Sequence, residues 1–145
     1  MALRHLVIGT ALAALTLVQP SARADGTRAP VGLIETVRIQ PEAIDIRAKV
    51  DTGAENSSDN GGRRTLERPL HRMAEIHRAG STQNRPVVLM TLCVGAVARE
   101  VEVNLSERPR LTYRMLLGAS FLNGAYVVDV SQSDLTRPTC GEAAK

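Results

Sequence analysis

Ile44-Asp45-Ile46-Arg47-Ala48-Lys49-Val50 runs without a break into Asp51-Thr52-Gly53-Ala54, and the reading of this stretch decides the fold. Ile44, Ile46, Ala48 and Val50 recur at every second position, the period of a half-buried strand, so residues 44–50 predict a strand that delivers Asp51 on a rigid base. Gly53 then permits a sharp turn. A carboxylate held at such a turn can lie beside a second carboxylate and share one proton with it, because two like charges about 3 Å apart cannot both ionise. One carboxyl then acts as a base and the other as an acid. An ordinary turn after a strand also favours Asp and Gly, so the flanking sequence has to separate the two readings.

Upstream, residues 32–39 predict a strand with Leu33, Val37 and Ile39 among its apolar positions, and Gln40-Pro41 ends it, so an antiparallel hairpin with 44–50 is the economical pairing. Downstream, Glu55 to Arg64 contains no apolar residue and predicts a loop that buries nothing. Leu66, Leu70, Met73, Ile76 and Ala79 step by three or four residues. A short helix fits that spacing if Pro69 lies in its first turn, and a strand with a loop fits nearly as well. Residues 80–84 predict another turn. Residues 85–95 are mostly apolar, as a central strand would be, and Gly95-Ala96 turns the chain into the alternating run of Val97, Val101, Val103 and Leu105. Arg108-Pro109-Arg110 breaks the pattern. Met115-Leu116-Leu117-Gly118 follows, then one or two helical turns closed by Asn123-Gly124, then a last strand over 125–130. The expectation is a mostly β domain with one short helix.

The chain has 145 residues, enough for one domain with a real core and too few for two. Arg4 and His5 precede an apolar run from Leu6 to Val18, and Ala22-Arg23-Ala24 has the small-x-small form of a signal-peptidase site. Residues 1–24 therefore read as a signal peptide, residues 25–30 as a flexible lead-in, 31–133 as the domain and 134–145 as a polar tail. About 13 apolar residues fall short of the roughly 20 that span a bilayer, so no stable membrane span is expected once the leader is cleaved. Of the 18 basic residues, Arg4 and Arg23 lie in the leader, which leaves 16 against 15 acidic ones in a nearly neutral mature chain. With one Phe, two Tyr and no Trp, neither an electrostatic footprint nor stacking platforms for nucleic acid are present.

Cys93 and Cys140 are the two cysteines. In an oxidising compartment they could pair and tie the tail to the central strand; alternatively Cys93 is a small buried hydrophobe and Cys140 is free. The mature histidines, His71 and His77, do not form a zinc motif with them: the chain contains no CxxC and no HExxH. Asp129 is a second carboxylate in an apolar strand, a place where a structural acceptor is the commoner role.

With both ends of this pattern read, the sequence resembles the retropepsin-like aspartic proteases, and among them a bacterial group formerly labelled putative ATP-dependent zinc proteases. The matching residues are Gly32-Leu33-Ile34-Glu35, Ala48 to Ala54, Arg85-Pro86-Val87-Val88, Val103-Asn104-Leu105, Tyr113 to Gly118 and Tyr126-Val127-Val128-Asp129-Val130. The resemblance implies a closed, mainly antiparallel β-barrel with one short helix. It also implies an active site assembled from two copies, with catalytic Asp51, Thr52 and Gly53 supported by Ala54, Ser57, Leu116, Leu117 and Gly118. One Asp-Thr-Gly per chain requires a homodimer for a complete dyad. The implied substrate is a peptide or protein, the implied location is the periplasm or outside the cell, and the implied mechanism uses no cofactor; the older zinc and ATP label meets no ligand motif or P-loop here.

The chain also departs from that group. Ser57 is followed by Ser58-Asp59-Asn60-Gly61-Gly62 where apolar residues are usual, which places the substrate-covering flap and part of the core in question. Ala119 stands where an arginine usually follows the second glycine turn. Two functions follow as expectations: an exported aspartic endopeptidase, or a non-catalytic binding or scaffold domain of the cell envelope that has kept the fold.

Overall fold

The strand that opens on Ile44 closes a barrel. The computed structural model describes residues 28–59, 65–78, 80–106 and 112–141. Its elements are β1 (Ala29–Gly32), β2 (Ile34–Gln40), β3 (Ile44–Val50), β4 (Ser57–Asp59), β5 (Arg72–Arg78), β6 (Ser81–Val94), β7 (Val97–Leu105), β8 (Met115–Leu117), α1 (Ala119–Leu122) and β9 (Tyr126–Asp129). The signal-peptide residues, the sequence Arg108-Pro109-Arg110 and the end of the expected tail lie outside the described residues.

Six strands pair in the order β2-β3-β8-β4-β7-β6, and β6 returns to β2 through Arg38↔Cys93, Ile39↔Leu92 and Gln40↔Thr91. Closure leaves the barrel strands no free edge at these seams. The interior is apolar: Val37, Ile39, Ala48, Val50, Leu92, Val103, Met115 and Leu117 all lie within one buried cluster. β2 and β3 form the expected antiparallel hairpin, in register from Ile34↔Lys49 to Ile39↔Ile44, as do β6 and β7 from Val87↔Asn104 to Val94↔Val97. Two of the barrel seams are parallel. β3 runs alongside β8, Ala48↔Met115 to Val50↔Leu117, and β4 alongside β7, Ser57↔Val103 to Asp59↔Leu105.

Several local expectations change. Residues 57–59 are not loop but the barrel strand β4, and Ser57 and Ser58 are buried. No apolar side chain is needed for this, because a small hydroxyl that finds a backbone partner can be buried without penalty. The ambiguous run after Leu66 resolves as the strand β5, and only Gly80, at φ +80°, belongs to the turn expected over 80–84. Ser81 to Pro86 continue β6 and pair only with β5, making a two-stranded arm beyond the β6–β7 hairpin. In the arm Ala74 and its cross-strand partner Arg85 are buried and Met73 is exposed, so its sequence shows no clean alternation.

Two peripheral segments are also anchored. Ala29 and Pro30, at the end of the expected lead-in, belong to β1, which pairs in parallel with β9, Ala29↔Tyr126 to Gly32↔Asp129. Residues 132–140 lie against the barrel through the fully buried carboxylate of Glu35. Its Oε1 accepts from the Gly32 N–H (2.6 Å) and the Leu135 N–H (3.0 Å); its Oε2 accepts from the Thr136 N–H (3.1 Å) and hydroxyl (3.0 Å). Cys93 and Cys140 are joined by a disulfide, which links this segment to β6.

Candidate active site

Asp51 takes its place from two adjacent parallel strands. The final residues of β3 pair with β8, the Val50 N–H donates to Leu33 O (2.9 Å), and the Asp51 N–H donates to Leu117 O (3.0 Å). The half-buried Asp51 and the Gly118 turn therefore emerge side by side from the barrel. The loop folds back on its own carboxylate: the Gly53 N–H donates to Asp51 Oδ1 (3.1 Å) and the Ala54 N–H to Asp51 O (3.3 Å). This is the local Asx geometry that Asp adopts in turns. Gly53 makes this turn without a positive φ. A Cβ there would meet only Asp51 Oδ1, at 3.5 Å.

Gly118 is the glycine that packing demands. Its φ is −85°, ordinary for any residue, but a Cβ would lie 2.5 Å from the Asn56 carbonyl carbon and 2.9 Å from Ser57 N. Its N–H donates to the buried Ser57 Oγ (3.1 Å). Beyond it, the Ala119 N–H donates to Ala54 O (2.7 Å) and the Ser120 N–H to Glu55 O (2.9 Å), so the first amides of α1 hold the Asp-Thr-Gly loop. The helix in turn buries Phe121 and Leu122.

Asp51, Thr52, Gly53, Ala54, Ser57, Leu116, Leu117 and Gly118 thus converge on one loop and its supporting turn. Thr52 and Gly53 are exposed, Leu116 is half-buried, and Leu117 is fully buried beneath them. Beside the loop an open depression of about 470 Å³ is lined by Thr52, Glu55, Ala119, Ser120, Asn123 and Val127, among others. Asp129 is not in this cluster: its carboxylate accepts from the Ser131 N–H (3.0 Å) and hydroxyl (2.6 Å) and from Gln132 Nε2 (2.8 Å), bonds that hold it below the usual carboxylate range. Among the described residues no three His, Cys, Asp or Glu side chains are grouped as metal ligands, and no helix is long and apolar enough to cross a membrane.

Sequence reasoning missed one connection. Asn56 Nδ2 donates to Glu102 Oε2 (3.4 Å), and the same carboxylate receives Arg72 Nε (2.9 Å) and a second, closer contact from Arg72 Nη2. His71 Nε2 is 3.4 Å from Glu102 Oε1. The Arg72 hydrogen bonds are the main cause that holds the Glu102 carboxyl below its usual range, with His71 adding to them. The root of the β5–β6 arm is thereby tied to the loop that follows Asp51. The signal was an outward-facing carboxylate on β7, which looks like any solvated charge.

A closed six-strand barrel with one short helix packed under an Asp-Thr-Gly loop defines a retropepsin-like domain. The RimB-like family, retropepsin-like aspartic endopeptidase RimB, matches residues 55–139, and the chain belongs to that family. The matched segment takes in the Gly118 turn and begins just after the Asp51 loop. Among solved structures, a protein of unknown function (DUF785) from Legionella pneumophila is similar over 75% of this chain and 98% of its own, with a TM-score of 0.57 and 24% identity, a likeness of fold. No curated protein matches the chain.

Proposed function

We propose that this chain is an exported aspartic endopeptidase whose active site is completed when Asp51 of one protomer faces Asp51 of its twin. The observation that carries the reading is the anchoring of Asp51: its backbone is fixed to Leu117 O while its side chain stays half-buried beside an open depression. A nucleophilic water between two such carboxyls meets a base and an acid that share one proton. The ionised carboxylate takes a proton from the water as the water oxygen bonds to the peptide carbonyl carbon. The protonated carboxyl gives its proton to the carbonyl oxygen. Collapse of the resulting diol breaks the C–N bond: the carboxyl that took the water's proton gives it to the leaving nitrogen, and a diol hydroxyl returns a proton to the other carboxylate.

Thr52 and Gly53 are exposed next to Asp51, where a second copy would have to approach. In the dimer Thr52 holds the two loops to each other and the Gly53 amide supports the carboxylate it already contacts. The β5–β6 arm extends beyond the barrel and supplies the element that would cover a bound peptide. Export is supported by the leader-like N-terminus and by the Cys93–Cys140 disulfide, since such bonds persist in oxidising compartments. Asp51→Asn tests the reading: it should abolish peptide cleavage and leave the unfolding temperature close to wild type.

A further inference from the structure

β7 carries a charge where its pattern calls for an apolar residue. Val97, Val101 and Val103 define the inward register of the strand, and Arg99 lies on the same register. A charge on the core side of a strand needs a compensating partner. Arg99 Nη1 donates to Phe121 O (2.9 Å) and to Asn123 O (2.8 Å). These are carbonyls at the end of α1, and the bonds that close the turn use the carbonyls of Gly118, Ala119 and Leu122 instead. α1 has only four residues, no side-chain cap at its start and no basic residue of its own in its last turn. A helix this short does not hold itself together in water.

The far end of the same turn holds the Asp51 loop, through the Ala119 and Ser120 amides on Ala54 O and Glu55 O. We infer that Arg99 is a positioning residue for the Asp-Thr-Gly loop: it pins the end of α1 to β7 so that the first two amides of α1 keep Ala54 and Glu55, and with them Asp51, in place. Phe121 and Leu122 bury α1 against the core, so the fold does not depend on Arg99; the orientation of the turn does. This role rests on the protease reading only for its catalytic consequence.

The test uses Arg99→Ala and Arg99→Lys in the full mature chain, with Arg99→Met, which keeps the apolar stem, standing in should the alanine variant fail to fold. Amide hydrogen exchange at Ala119 and Ser120 is measured well below the unfolding transition, beside kcat and KM for an Asp51-dependent peptide. The expected result is exchange at those two amides faster by about tenfold or more and kcat lower by about 10- to 100-fold at little-changed KM. Arg99→Lys, which can still donate to both carbonyls, recovers part of each. Unchanged exchange at Ala119 and Ser120 overturns the inference whether or not cleavage is observed. Faster exchange without any Asp51-dependent cleavage in wild type keeps the mechanical link and removes the protease reading instead. Faster exchange with unchanged kcat shows that the link exists without positioning Asp51, and overturns the catalytic role.

Discussion

Gly118 and Asn56 are in backbone contact: a methyl group on Gly118 would sit 2.5 Å from the Asn56 carbonyl carbon and 2.6 Å from its oxygen. Both partners are main chain, so neither can swing away as a flexible side chain would. The contact is what lets the Gly118 N–H reach Ser57 Oγ and the next two amides reach the Asp51 loop. Gly118→Ala is therefore expected to lower stability by about 1–3 kcal/mol, as overpacking does, and to reduce activity further by displacing the loop. Denaturant unfolding and cleavage assays on the same preparation check this. An alanine variant of wild-type stability and rate would contradict the contact.

Glu35 is fully buried and accepts four hydrogen bonds, three of them from Leu135 and Thr136. Removing the acceptor strands the buried Gly32 N–H, at a cost of about 1–3 kcal/mol, and leaves three part-buried donors on Leu135 and Thr136 without it. Glu35→Ala should lose about 3 kcal/mol or more of stability and expose the segment 132–139 to proteases. Limited proteolysis with mass spectrometry reads the second effect directly.

The Cys93–Cys140 bridge closes a separation of 47 residues. On the chain-entropy account a loop of that size contributes about 4 kcal/mol by restricting the unfolded chain. Reduction, or Cys140→Ser, should lower the unfolding temperature by many degrees while cleavage at low temperature persists, because neither cysteine approaches Asp51 in the described contacts. Equal unfolding temperatures with and without reductant would contradict a stabilising bridge.

Among the described residues four carboxyls have folded-state pKa values depressed by neighbours: Asp45 by Arg38, Glu42 by Arg68, Glu102 by Arg72, and Asp129 by Ser131 and Gln132. Their ordinary values are 3.8 for Asp and 4.5 for Glu. A depressed folded pKa contributes stability that is present above the ordinary value and lost as pH falls through the lower folded one. Stability should thus be level from neutral pH down to about 4.5 and decline below it, modestly, since three of these carboxyls are in surface ion pairs and Asp129 is held by neutral donors. A dyad sharing one proton loses its acid form as pH rises. Activity then falls on the neutral side as the dyad ionises, while the loss of stability is confined to acid pH. Melting curves and initial rates over the same pH series separate the two limbs, and a melting temperature that climbs below pH 4 would contradict the sign.

Where the sequence was legible, one periodicity dominated. β3, the β6–β7 hairpin and the short turn after Gly118 could be read because each buries one face of an alternating or apolar run in the barrel. β4 could not, because it buries two serines, Ser57 meeting the Gly118 N–H, and leaves no apolar mark. The two residues that most change the account, Glu35 and Arg99, are charges set on the inward register of β2 and β7. Their partners, Thr136 and the Phe121 carbonyl, are distant in sequence, so the pattern flags an anomaly without saying what resolves it. The arm shows no clean alternation because Ala74 and its cross-strand partner Arg85 are buried while Met73 is exposed.

The central claim is that Asp51 is one half of a catalytic dyad. It is tested most directly by incubating the mature chain and Asp51→Asn with a mixed peptide library from acid to neutral pH and identifying the products by mass spectrometry. The account predicts internal cleavage products that form with wild type and vanish with Asp51→Asn while both proteins remain folded. No products at any pH, or the same products from both proteins, would contradict it.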